Sequence, residues 1–447
     1  MRFVLVLLLL LLPGCSDSTP SGADAAVGSD ATHGDAGSGD APAPPDADAA
    51  AGDDGAASDG GGADSVDPCA PRAPTPTRAR FAALVAAVNG AADAAARQAK
   101  VDAFLAALGD DYPLRDAKGV VIVSDVAQSA VAGSFNNWTP TAMTRLSDTT
   151  LFYAELDIGA AEASYKLVQG SEWSRDARNR HVTWDGIPRA GVGAFNSVVP
   201  AFGASGAGSA KGRLEVRRVE STALANTRDV FVYLPPGYDA ERCTRYPLLL
   251  VNDGNESLTR SHFDQVTDAT LAAKRAEPLV IAFVALADQN DRLAEYGTVP
   301  SSRGAAYVDF LCDTLVPALE TRYQLSSDRT ARAAIGASLG GLSALNALVS
   351  RNDCLSRAGS QSGSFWYEDE ALIKRAQSGP LLAVDKIYLD NGSDNRDSTI
   401  KMRDVLVARG YSVVHREDLG QGHTWDAWAD RFDEALEQLF PRKTSAP

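Results

Sequence analysis

Between residues 16 and 67 this 447-residue chain has no glutamate, lysine, arginine or aromatic residue, but twelve aspartates set among Ala, Gly, Ser and Pro. A segment so poor in apolar surface cannot offset the entropy of ordering it. A disordered, self-repelling linker is expected over residues 16–72. Apolar runs of 18 residues or more are also lacking, so no segment is long and apolar enough for a membrane-spanning helix. Nor is there a basic excess. The formal net charge is −16, and beyond residue 67 there are 46 acidic and 41 basic residues. Nucleic acid is therefore not an expected partner. Cysteine and histidine number only five each. The cysteine spacing fits no zinc pattern and no metal is expected, while the few histidines narrow the search for a catalytic base.

What is present begins with an export signal over residues 1–15. Arg2 precedes the ten-residue apolar run Phe3–Leu12, the length of a signal h-region. The run leads into Pro13-Gly14-Cys15, and Leu12 to Cys15 resembles the lipobox of bacterial lipoproteins. That resemblance implies lipidation at Cys15 and attachment to a membrane through the lipid. Ser16 after the cysteine is similar to an outer-membrane sorting pattern, which implies an exported lipoprotein facing the periplasm or cell surface. A plain secretory signal with an incidental cysteine is the alternative. Cys69, Cys243, Cys312 and Cys354 permit up to two disulfides, with three connectivities, or buried free thiols.

Residues 73–113 read as two short helices. Phe81, Leu84, Val85 and Val88 recur at spacings of three and four, and Val101, Phe104, Leu105 and Leu108 continue the pattern beyond Gly90. From about residue 114 the pattern changes to short β-rich runs. Val131 to Trp138, and Tyr165 to Trp173 followed by Asp176, resemble the glycogen-binding-like, immunoglobulin-like β-sandwich that precedes many glycan-active enzymes. This segment is bounded at residues 114–205. The resemblance implies that Trp138 and Trp173 stack on sugar rings, whose C–H faces suit an aromatic surface, with Asn196 as a weaker polar contact. Core or interdomain packing of both tryptophans is the alternative.

Residues 211–447 alternate apolar runs with helical segments, as an α/β fold with a mostly parallel sheet requires. Val230–Leu234, Tyr246–Val251, Leu279–Leu286, Ala331–Ile335 and Ile387–Leu389 read as strands, and Ala305–Tyr323 as helical. One strand runs into Gly336-Ala337-Ser338-Leu339-Gly340-Gly341 and then an apolar helix. This is the G-x-S-x-G elbow in its strand–turn–helix setting, with Ser338 as nucleophile. Two histidines follow it. His415 lies in a strand-like run, whereas His423 lies in the loop Gly420-Gln421-Gly422-His423, where a catalytic imidazole belongs. Asp394 is expected to be the acid, in the strand-end loop after Ile387–Leu389, with Asp390 and Asp397 nearby.

Together with Val232–Tyr238, Tyr246–Gly254 and Ser360-Gln361-Ser362-Gly363-Ser364-Phe365, these motifs resemble the enterochelin-esterase-like branch of the α/β-hydrolase superfamily. The resemblance implies an eight-stranded, mainly parallel sheet with helices on both faces, no cofactor, and hydrolysis of a small-molecule or glycan-linked carboxylic ester. The backbone amide of Leu339 is expected to hold the oxyanion, with that of Asn255, in the loop after Tyr246–Val251, as the candidate second donor. Arg292 is expected to bind substrate, or else to pair with Glu295 as an i, i+3 ion pair. Phe365, Trp366 and Tyr367 are candidates for an aromatic pocket, with Trp366 the substrate contact. Three functions are weighed: a siderophore-lactone esterase, a feruloyl or acetyl esterase acting on polysaccharide, and a non-enzymatic glycan-binding surface lipoprotein.

Overall fold

The computed structural model describes Cys69 and residues 75–187, 192–203, 211–238 and 243–442. The export signal with Cys15, and the linker apart from Cys69, lie outside these residues.

Eight strands form the sheet of the C-terminal half: β1 Arg213–Ser221, β2 Asn226–Leu234, β3 Leu248–Val251, β4 Val280–Val284, β5 Arg332–Ala337, β6 Arg357–Gln361, β7 Lys386–Asn391 and β8 Val413–Glu417. Their spatial order is β1-β2-β4-β3-β5-β6-β7-β8. The β1–β2 and β2–β4 pairings are antiparallel, and the rest are parallel. The central strands are apolar throughout because both faces are covered. Leu248, Leu250, Val280, Ala282 and Val284 pack into one core with the helix Leu339–Ser350. Their neighbours Leu249, Val251, Ile281 and Phe283 point the other way, toward the helices Phe263–Ala272 and Trp425–Leu439. This alternation is the period-two geometry of a strand.

The expected helices flank the sandwich at Ala79–Asn89 and Ala94–Ala106. They bury Phe81, Leu84, Val88 and Val101 against Val121 and Val123 of the strand Val120–Ser124. The same strand's Val120 and Ile122 face the sandwich interior with Val131, Tyr165 and Val199. One feature departs from the expected separation into two domains. The strand His181–Trp184 pairs with β1 through Leu214↔Val182 and Glu215↔His181, so one sandwich sheet and the hydrolase sheet are continuous.

The helical segment expected over Ala305–Tyr323 forms as Gly304–Asp309, a π-helical turn Phe310–Leu315 and Val316–Glu320. The four remaining cysteines are paired as Cys69–Cys243 and Cys312–Cys354, which replaces the free-thiol alternative.

Candidate active site

The β5 strand runs two residues further than its apolar pattern suggests and delivers Ser338 at its end. Ser338 has φ 59° and ψ −123°, a conformation costly for any residue with a Cβ. The turn is tight enough that a Cβ on Gly336 would lie 2.5 Å from the Gly340 carbonyl carbon. The helix Leu339–Ser350 starts at once, so the Leu339 amide belongs to its unpaired first turn beside the serine hydroxyl.

The second wall is the segment after β3. Asn252 donates from Nδ2 to the Gly340 carbonyl (2.8 Å) and accepts from the Tyr307 hydroxyl at Oδ1 (2.7 Å). Asp253 has φ 53°, and its N–H donates to the Tyr296 hydroxyl (2.9 Å). A Cβ on Gly254 would stand 2.3 Å from the Phe283 carbonyl carbon, so only glycine lets this loop lie so close to β4. Asn255 follows, buried in the first turn of Gly254–Thr259.

Arg292 holds this wall in place. Its Nε and Nη2 donate to the two carboxylate oxygens of Asp253 at 2.8 and 2.7 Å. The pairing keeps the guanidinium well above its ordinary pKa despite partial burial. The alternative Arg292–Glu295 ion pair does not form. Glu295 is fully buried and accepts from Arg228 at 3.0 Å on each oxygen. Helical spacing put the two on one surface, but the tertiary core takes Glu295.

On the far side, His423 Nδ1 is hydrogen-bonded to Asp394 Oδ2. The two loops are fastened together, since the Ser393 amide and hydroxyl both donate to the Gln421 carbonyl, at 2.9 and 3.0 Å. The His423 ring stands edge-to-face on Trp428, with centroids 4.9 Å apart. No hydrogen bond joins His423 to Ser338 among the described residues. Such bonds are often long in ligand-free sites and tighten around substrate.

The neighbouring carboxylates are engaged elsewhere. Asp390 is buried against Arg431 (3.0 Å) and Gln361 (3.3 Å), and burial pushes its carboxyl up to about 6 despite the arginine. Asp397 is fully exposed. His415 lies within β8, 2.8 Å from Asn391 Oδ1, and burial beside Arg403 pushes its pKa down.

Of the three aromatic candidates, Phe365 is core and Tyr367 packs against that core, whereas Trp366 is 55% exposed. Its indole N–H donates to Asn395 Oδ1 (2.8 Å), next to Asp394. Trp138 and Trp173 stand on the sandwich surface at 37% and 42% exposure, so neither is a core residue. Asn196 is buried in the strand Phe195–Val199. Residues that sequence reasoning missed are Asn252, Asp253, Ser364 and Asn395. Only the Asp-Gly pair and the Ser-x-Ser-x-Ser run hinted at them.

The strand order and the serine elbow define this half of the chain as an α/β-hydrolase. Within it, residues 221–439 match the family model described as "Putative esterase". The chain is 28% identical over 245 residues to the uncharacterized protein YbbA of Bacillus subtilis, covering 49% of this chain and 96% of that protein. It is 28% identical over 239 residues to the iron(III) enterobactin esterase of Dickeya dadantii, covering 48% of this chain and 52% of that one. It is 24% identical over 230 residues to an endo-1,4-beta-xylanase/feruloyl esterase of Xylanibacter ruminicola, covering 49% and 30%. The chain thus spans about half the length of the enterobactin esterase and less than a third of the xylanase/feruloyl esterase.

Proposed function

We propose that this chain is a serine carboxylic-ester hydrolase working through an acyl-enzyme, with Ser338, His423 and Asp394 as its triad. The observation that carries the reading is the strained Ser338 backbone at the end of β5, where the helix Leu339–Ser350 begins. The Asp394-bound His423 on the loop after β8 supplies the matching base.

In this mechanism Ser338 Oγ attacks the ester carbonyl carbon, and His423 Nε2 takes its proton. Asp394 on Nδ1 fixes the tautomer and stabilises the imidazolium. Charge developing on the carbonyl oxygen is met by the amides of Leu339 and Asn255, each contributing about 3–4 kcal/mol. Arg292 acts indirectly, by holding Asp253 and so the loop that presents Asn255. His423 returns its proton to the leaving alcohol, and water repeats the sequence to free the acid.

The likeness to an iron(III) enterobactin esterase supports an ester of the siderophore-lactone kind as substrate. A feruloyl or acetyl ester on polysaccharide is the second reading, supported by the exposed Trp138 and Trp173 as a sugar-stacking surface. Parallel kinetics on a catecholate trilactone, feruloyl sugars and aryl acetates test the choice. A kcat/KM at least 100-fold higher for the trilactone supports the first reading, and the reverse ranking with feruloyl sugars supports the second. No hydrolysis of any of them by the folded chain would reject the esterase and leave the glycan-binding lipoprotein.

We also propose export and lipidation at Cys15, with the mature chain on the outer membrane. The pairing of all four other cysteines fits an oxidising compartment. Cys15→Ser should release the protein from membranes, and an unmodified wild-type N-terminus by intact mass would refute the anchor.

A further inference from the structure

The Ser338 hydroxyl lies 3.2 Å from the hydroxyl of Ser364, and either oxygen can be the donor by distance alone. The surrounding groups orient the Asn395 amide beside this pair. An indole N–H can only donate, so the bond from Trp366 Nε1 makes Asn395 Oδ1 an acceptor. Asn395 Nδ2 is then the donor end, and it meets a backbone carbonyl, Ser362 O, at 2.7 Å, which can only accept. The two contacts fix the amide in one orientation. The same Nδ2 also reaches Ser364 Oγ at 3.5 Å, a long bond in which Ser364 accepts. A hydroxyl has one hydrogen and two lone pairs, so this contact uses one acceptor site of Ser364 and leaves its hydrogen free to turn to Ser338 Oγ. With its hydrogen turned that way Ser364 donates to Ser338, and the hydrogen of Ser338 is left for the base.

The backbone supports this geometry. Ser364 N–H donates to the Ser338 carbonyl (3.1 Å), Ser364 is buried, and Asn395 has φ 50°, which turns its side chain back over the loop after β6.

We infer that Ser364 is a positioning residue for the nucleophile, and that Trp366 and Asn395 set the direction of its hydrogen bond. The inference rests on the proposed role of Ser338. The chain Trp366 N–H, Asn395 amide, Ser364 hydroxyl holds Ser338 Oγ in one rotamer with its proton available to His423. It also places a donor on the oxygen as negative charge develops there. No proton leaves Ser364, because the transfer runs from Ser338 to His423.

The test uses the full chain and the variants Ser364→Ala, Trp366→Phe and Ser338→Ala. Two rates are measured, hydrolysis of an aryl acetate and irreversible phosphonylation by a fluorophosphonate. Ser364→Ala removes one buried oxygen, and Trp366→Phe keeps an exposed ring while deleting the indole N–H, so both are compatible with the fold. Ser364→Ala should lower kcat and the phosphonylation rate together by about ten-fold, the scale of one hydrogen bond, with KM held within about two-fold. Trp366→Phe should lower both rates by about two- to three-fold. Wild-type kcat in Ser364→Ala, or a raised KM with unchanged kcat, would overturn the inference. Wild-type rates in Trp366→Phe would remove the indole from the chain. Hydrolysis by Ser338→Ala would instead reject the nucleophile assignment beneath it, which keeps the two failures apart.

Discussion

In the proposed mechanism the loop that carries Asn252 to Asn255 and the loop that carries His423 serve the same serine, yet they are built in opposite ways. In the first, Asn252, Asp253 and Asn255 are each 3% exposed or less, and a left-handed aspartate and a glycine with no room for a Cβ fix its path. In the second, the His423 side chain is 40% exposed, and two hydrogen bonds to one carbonyl fasten its loop to that of Asp394. The difference follows from the work assigned to each. Oxyanion donors act only if they are in place before charge develops, so their wall is rigid and dry. A base must exchange protons with leaving group and water, so its loop stands open.

If this division is right, damage to the open side should remove chemistry while sparing the fold, and damage to the buried side should affect both. The largest effect expected is Asp394→Asn, with loss of about 10⁴-fold in kcat and an unchanged melting temperature. Asp390 is held by Arg431 and Asp397 points into solvent, so neither can take over the imidazole. A loss below ten-fold in steady-state kinetics would show that another group orients His423.

Arg292→Ala comes next. It leaves the buried Asp253 carboxylate unpaired, at a cost of about 2–3 kcal/mol, the low end for a buried pair because Arg292 is itself partly exposed. Chemical denaturation should report that loss, and kcat should fall more than KM rises. A drop in kcat with full stability would instead make Arg292 a direct substrate contact.

The effect smallest at neutral pH concerns the junction of the two sheets. Burial, with Arg180, Arg213 and Arg217 nearby, pushes the His181 imidazole down to about 3 against the pull of Glu215. The unfolded chain, titrating near pH 6.5, binds the proton first. Stability is therefore fully present above pH 6.5 and declines as pH falls toward 3, with a slope of up to about 1.4 kcal/mol per pH unit. Glu215, held down at about 2, adds its own loss only below about pH 4.5, its ordinary range. His181→Gln should flatten the stability profile between pH 6.5 and 4.5, and an unchanged slope would place the titration elsewhere.

The sequence makes the strained half legible where strain needs glycine. The Gly336–Gly341 run and the Asp253-Gly254 pair mark both walls, and His423 stands out because so few histidines exist. Arg292 misleads, because i, i+3 spacing describes one helix and says nothing of the separate partners, Asp253 for Arg292 and Arg228 for Glu295, that tertiary packing supplies. Ser364 and Asn395 are 26 and 57 residues from Ser338. Only the parallel order β5-β6-β7 brings their loops together, and no local pattern encodes that juxtaposition. The continuous sheet escapes notice for the same reason, since the pairing of β1 with His181–Trp184 joins two segments that each read as complete.

The most direct measurement of the account is the intact mass of the protein after exposure to a fluorophosphonate, with peptide mapping of the adduct and ester turnover followed in parallel. One adduct per chain on Ser338, with turnover lost in proportion and neither labelling nor turnover in Ser338→Ala, is the predicted result. Turnover that persists in Ser338→Ala, or an inactivating adduct on another residue, would contradict it.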